Sequence, residues 1–111
     1  MKFYKKARLR NYSRSKCSQG HYHHSNLEAG YCDTLALMVK SGDILEYEIQ
    51  KVFEFRINDV LICRHKPDFY VKTVDGTWEV HEVKGHETDL WKLKYRLFQG
   101  LYPDIKYHIV K

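Results

Sequence analysis

Residues 65–87 read HKPDFYVKTVDGTWEVHEVKGHE, and this stretch decides the fold. Asp68–Thr73 has the composition of a strand, and Asp75-Gly76 is a hairpin signal. Thr77–Lys84 continues the sheet, and Gly85 then breaks the pattern. Pro67-Asp68 therefore opens one strand, and Glu82-Val83-Lys84, fourteen residues beyond Asp68, closes its neighbour.

The loop between these strands sets which side chains share a face. A two-residue loop of Asp75 and Gly76 pairs Val74 with Thr77 and puts Asp68 opposite Val83, so that Asp68 and Glu82 face opposite sides. A three-residue loop of Val74, Asp75 and Gly76 pairs Thr73 with Thr77 and puts Asp68 opposite Glu82. The longer loop needs a left-handed last residue, and Gly76 adopts that conformation cheaply. The sequence therefore predicts Asp68, Glu82 and Lys84 on one face and Val83 turned into the core, with a bulge as another route to the same offset.

Outward from this hairpin, Leu45–Arg56 alternates, with Leu45, Tyr47, Ile49, Phe53 and Phe55 on one face. Asn58-Asp59 signals a turn, and Val60–Arg64 is the expected return strand. Ser25 and Glu28 have the spacing of a helix capping box, with Leu27, Tyr31, Leu35 and Met38 as the apolar stripe and Gly42 as the stop. A second helix is expected from about Thr88 to Leu101, with Leu90, Leu93, Leu97 and Leu101 as its stripe. Pro103 closes it, and Ile105, Tyr107 and Ile109 alternate as a last strand. The expected order is α-β-β-β-β-α-β, with the first two strands able to form one long bent hairpin. This is an α/β (α+β) fold with a central mixed β-sheet flanked by helices.

Two carboxylates and a lysine at adjacent strand ends suit metal-dependent phosphodiester hydrolysis. Asp68 and Glu82 offer the oxygen ligands that Mg²⁺ prefers, and the carbonyl of Val83 offers another. Such an ion polarises the phosphate and acidifies a bound water. Lys84 orients that water or offsets charge developing on the phosphate. The plain alternative is turn chemistry at Asp68 and a solvated strand face at Glu82 and Lys84.

The 111 residues carry a net charge of +5, unevenly spread. Residues 1–16 hold seven basic side chains (Lys2, Lys5, Lys6, Arg8, Arg10, Arg14 and Lys16), and the first acid is Glu28. A basic arm interleaved with Phe3, Tyr4 and Tyr12 suits a polyanion whose bases can stack, with Lys5, Lys6, Arg8, Arg10 and Arg14 as DNA contacts. Its alternative is a solubilising tail. The expected organisation is an irregular basic arm over 1–24 and one domain over 25–111.

No apolar run approaches the ~20 residues of a membrane helix, and MKFYKKARLR lacks the apolar core of a secretory signal. Cys17, Cys32 and Cys63 cannot complete a disulfide framework, and they suit a reducing cytoplasm. His21, His23 and His24 near Cys17 raise zinc, but no paired Cys-x₂₋₄-Cys spacing exists, so the segment is read as a polar loop. Trp78 and Trp91 are read as packing residues.

The chain resembles the PD-(D/E)XK nuclease superfamily, and within it the small phage endonucleases and Holliday-junction resolvases. The resemblance rests on HSNLEA at 24–29, PDF at 67–69, EVKG at 82–85, and the terminal LKYRLF and YPDIKYHIV. It implies a restriction-endonuclease-like core with Asp68 and Glu82 as metal ligands and Lys84 as the catalytic lysine. Glu28 would be a helical glutamate entering the metal site directly or through water, and Lys94 a basic contact to the phosphate. Gln50 falls near a polar position of some relatives and carries little weight. His81 and His86 are not part of the pattern. Lys92 and Arg96 read as the wet face of their helix, and the alternative for Glu28 is to be only the acid of its capping box.

The function implied is a Mg²⁺-dependent endonuclease (Mn²⁺ substituting) that cuts branched or structured DNA. A homodimer is expected, since cutting two strands takes two sites, and no membrane partner is expected. The rivals are a nucleic-acid-binding module without chemistry and a basic scaffold for another protein.

Overall fold

The computed structural model describes residues 15–111. The fold is mixed α/β, with a central mixed sheet and, among the described residues, two helices. It divides into two compact units at Ser41–Gly42. No described helix is long and apolar enough to cross a membrane.

The first unit holds β1 (Ser15–Lys16), β2 (Tyr22–His23) and α1 (Asn26–Ser41). Residues 15–24 are thus not irregular. β1 and β2 pair antiparallel, Ser15 with His23 and Lys16 with Tyr22. Their turn closes through the Cys17 N–H on the His21 carbonyl at 2.9 Å and the Gly20 N–H on the Cys17 carbonyl at 3.0 Å. Gly20 has φ +89°, which a side chain would resist. The Ser25 hydroxyl accepts the Glu28 N–H at 3.0 Å, as expected of the cap. The buried face of α1 differs from the expected stripe. It is Glu28, Ala29, Cys32 and Leu35, while Leu27 is exposed.

The second unit holds β3 (Ile44–Ile49), β4 (Phe53–Ile57), β5 (Val60–His65), β6 (Phe69–Thr73), β7 (Trp78–Val83), α2 (Asp89–Leu101) and β8 (Lys106–Val110). One sheet runs β3-β6-β7-β8, antiparallel except for the parallel pair β7–β8. β4 and β5 form a separate hairpin. The expected continuous strand over 45–56 is therefore interrupted. Gln50 sits at φ +55° and turns the chain between β3 and β4. A bulge between Ile44 and Glu46 also shifts the register there, so that Ile44 is buried and Leu45 exposed. The helix-to-helix run contains five strands rather than four.

One part of the core lies on the face of the sheet that carries Val80, while Phe69 and Val71, fully buried, point from the other face. Tyr70, Val80 and Tyr107 are in register across β6, β7 and β8. Val80 packs with Phe53, Phe55 and Phe98, bordered by Leu97, Leu101 and Tyr102. The Phe53 and Phe98 rings meet edge-on at 5.0 Å. Each such ring contributes roughly 1.5–3 kcal/mol by burial, and edge-on pairing adds about 0.5–1.5 kcal/mol. Of the expected leucine stripe of α2, Leu97 and Leu101 pack against this core, but Leu90 and Leu93 do not. Leu90 and Leu93 are 63% and 55% exposed, whereas Trp91 and Phe98 are 7% and 0%. The helix is rotated so that its aromatic residues, with more area to bury, face the sheet. Thr88 caps it by accepting the Trp91 N–H at 3.1 Å.

Candidate active site

The β6–β7 hairpin has the longer of the two loops considered. Tyr70 pairs with Val80 and Lys72 with Trp78, and the Thr73 N–H donates to the Thr77 carbonyl at 2.8 Å. Val74, Asp75 and Gly76 form the loop, with Gly76 at φ +89°. The Asp75 carboxylate accepts the Thr73 hydroxyl, the Thr77 N–H at 3.1 Å and the Thr77 hydroxyl at 2.8 Å. These bonds, that from Thr73 foremost, draw its pKa down to about 2. Asp75 thus locks the loop that fixes the register.

Continuing this register by one pair from Phe69–His81 brings Asp68 opposite Glu82. Both are nearly buried, at 8% and 6% exposure. Pro67, fully buried, leads into Asp68. The Asp68 carbonyl accepts the Gln50 N–H at 3.1 Å, which ties the corner after β3 to this point. Asp68 Oδ2 accepts the Val83 N–H at 2.9 Å. Val83 itself is half-buried.

Glu82 is held from the core side. The Tyr107 hydroxyl, from β8, donates to Glu82 Oε1 at 2.7 Å. His65, at the end of β5, places Nε2 2.8 Å from that hydroxyl and 3.9 Å from the same carboxylate oxygen. Burial raises the pKa of Tyr107, and Glu82 and Asp68 raise it further, so it stays protonated and donates. Burial lowers His65 to about 4, helped by the positive charges of Lys94 and Lys84. A neutral His65 then donates Nε2–H to the Tyr107 oxygen, and the chain of bonds runs from imidazole to phenol to carboxylate.

By strand alternation Lys84 shares the face of Glu82. Its ammonium lies 5.3 Å from the centroid of the Trp91 ring, which is stacked on Tyr95 at 5.1 Å. That contact keeps the ammonium on the α2 side of the sheet. Lys94 donates from Nζ to the Arg64 carbonyl at 3.0 Å, so its ammonium is engaged with the end of β5. On the opposite face of β7, Glu79 Oε2 meets His81 Nε2 at 2.9 Å and His108 Nε2 at 3.0 Å. This is a separate cluster, which the alternation of β7 keeps apart from Glu82.

Glu28 belongs to the first unit, where its Oε2 lies 2.8 Å from His23 Nδ1 and the carboxylate is buried. The arm residues Lys5, Lys6, Arg8, Arg10 and Arg14 lie outside the described residues. His65, Tyr107 and Trp91 are the members that sequence reasoning missed. Tyr107 carried one signal, a polar tip among the inward positions of an alternating strand. His65 carried another, three residues before the aspartate.

The second unit thus presents two opposed carboxylates, a lysine on the same face, and a buried histidine joined to a half-buried tyrosine behind one acid. The chain belongs to the DUF1064 family, described as proteins of unknown function, which it matches over residues 9–111. No curated protein and no solved structure matches it.

Proposed function

We propose that the protein is a metal-dependent endonuclease that hydrolyses phosphodiester bonds in branched or structured DNA. The observation that carries this reading is the register of β6 and β7, which sets Asp68 opposite Glu82 with Lys84 two residues on. Two buried carboxylates set opposite one another on adjacent strands suit a divalent ion held between them. The donor set is all oxygen, which suits Mg²⁺, with Mn²⁺ able to substitute.

Asp68 and Glu82 would hold the ion, through the oxygens not engaged by Val83 and Tyr107, and the Val83 carbonyl is a further donor. A bound divalent ion supplies Lewis acidity toward the phosphate and its attacking water. Tyr107, backed by neutral His65, keeps Glu82 in one rotamer. Lys84, steadied on Trp91, supplies positive charge for the phosphate. Lys94 and the basic arm serve DNA binding, and a homodimer supplies a second site for a second strand.

A cleavage panel tests the proposal: linear duplex, single strand, flap and four-way junction, each with Mg²⁺ and with chelator. The expected result is Mg²⁺-dependent cutting, greatest on the branched substrates. Salt-sensitive binding to all of them without cutting would favour a binding module instead.

A further inference from the structure

The first unit carries a second constellation, independent of the nuclease reading. Cys17, His21, His23 and Cys32 each offer one donor atom, and the four atoms lie within 4.8 Å of one another. His21 Nδ1 is 3.4 Å from Cys32 Sγ. In a tetrahedral zinc site with bonds of about 2.0–2.3 Å, neighbouring donors stand roughly 3.3–3.8 Å apart. The cluster is therefore close to that size and needs little contraction. We propose that these four residues bind one structural Zn²⁺, with Glu28 as the hydrogen-bond partner that orients His23.

The donor chemistry selects the metal. Two thiols and two imidazoles in a tetrahedral set suit zinc and disfavour Mg²⁺ or Ca²⁺. Cys17, His23 and Cys32 are buried, and His21 is half-buried. Four protein donors complete the shell, which marks a structural rather than a catalytic ion.

His23 makes the strongest case. Its Nδ1 is taken by Glu28 Oε2 at 2.8 Å, which fixes the tautomer and assigns the lone pair to Nε2, a buried atom. Metal-bound histidines characteristically give their other ring N–H to a carboxylate in this way. Buried Glu28, placed in the nuclease site by sequence resemblance, acquires a role inside its own unit.

The local fold calls for such a tie. β1 and β2 are two residues each, and a lone hairpin is marginal in water even when longer. Three donors come from this hairpin: Cys17 and His21 from its turn, and His23 from β2. The fourth, Cys32, comes from α1. Ser18 donates from both its N–H (2.8 Å) and its hydroxyl (2.6 Å) to Asp33 Oδ1, and Ser15 donates to Asn26 Oδ1 at 2.6 Å. These bonds hold the hairpin on the helix in the posture the ion needs. The sequence raises zinc at Cys17, His21, His23 and His24 but does not point to Cys32, because the spacing is Cys-x₃-His-x-His-x₈-Cys, with the second thiol nearly two helical turns into α1. Exposed His24 is not one of the four.

Elemental analysis of the untagged full chain, purified reduced and without chelator, should give one zinc per chain. Replacement by Co²⁺ should give the intense ligand-field bands of a tetrahedral site and a thiolate charge-transfer band. Cys17→Ser and Cys32→Ser should each weaken that band, and Cys63→Ser should leave it intact. Glu28→Gln should keep the spectrum and weaken metal affinity about 10–100-fold. If the serine variants do not fold, the Co²⁺ titration of the wild-type chain decides. A reduced chain that takes up no cobalt would overturn the proposal. So would a Cys17–Cys32 disulfide in the native protein, or a band that depends on Cys63.

Discussion

The Tyr107 hydroxyl bonds Glu82 Oε1 at 2.7 Å, joining the last strand of the sheet to the acid at the end of β7. Tyr107→Phe keeps the ring that packs on Phe98 but removes that bond and the acceptor of His65 Nε2. Two buried polar atoms then lose a partner, which should cost about 1–3 kcal/mol in urea unfolding. Cleavage should fall about 10–100-fold, the usual effect of removing a group that orients a metal ligand. Unchanged cleavage would show that Glu82 needs no such support.

His65 gives the second unit a pH signature in metal-free buffer. Its folded pKa is held near 4, below the ordinary 6.5. The unfolded chain therefore takes up the proton first as pH falls. The stabilisation is fully present above about 6.5, is lost progressively between about 6.5 and 4, and is flat below that. The loss attributable to this residue reaches at most about 3 kcal/mol. His65→Gln, which retains an N–H for Tyr107, should flatten the curve in this window. Urea midpoints of both proteins at several pH values check this, and identical slopes would contradict it.

Deleting residues 1–14 removes six basic side chains and leaves β1 in place. DNA affinity at low salt should fall, and each lost phosphate contact should make the slope of log K against log salt shallower by about 0.9. Fluorescence anisotropy across a salt series checks this, and an unchanged slope would reduce the arm to a tail.

How far the sequence could be read follows from where its signals are local. Gly76 and the spacing of Asp68 and Glu82 selected the loop and the shared face, because a strand has a strict period of two. The cap at Ser25 and the turn at Asn58-Asp59 were equally local, and both central residues of that turn have positive φ. The leucine spacing of α2 locates Leu97 and Leu101 at the core but not Trp91 and Phe98, because burial follows the larger aromatic surfaces and leaves Leu90 and Leu93 exposed. The corner at Gln50 gave no glycine or proline to announce it. His65 and Tyr107 are 42 residues apart and meet only when β5 and β8 are assembled. The thiols of Cys17 and Cys32 likewise meet only through folding, so no short-range spacing announced them.

The most direct measurement is the initial rate of cleavage of the preferred DNA by wild-type protein, Asp68→Asn, Glu82→Gln and Lys84→Ala, with and without Mg²⁺. The account predicts Mg²⁺-dependent turnover by the wild type alone. Each variant should be slower by at least ~10²-fold, as for loss of a group that stabilises charge in the transition state. All three should melt as cooperatively as the wild type, and the two acid replacements should bind DNA as tightly or more so, since each removes negative charge beside the phosphate. Robust Mg²⁺-dependent cleavage by Asp68→Asn or Glu82→Gln would contradict the claim that these opposed carboxylates form the active site.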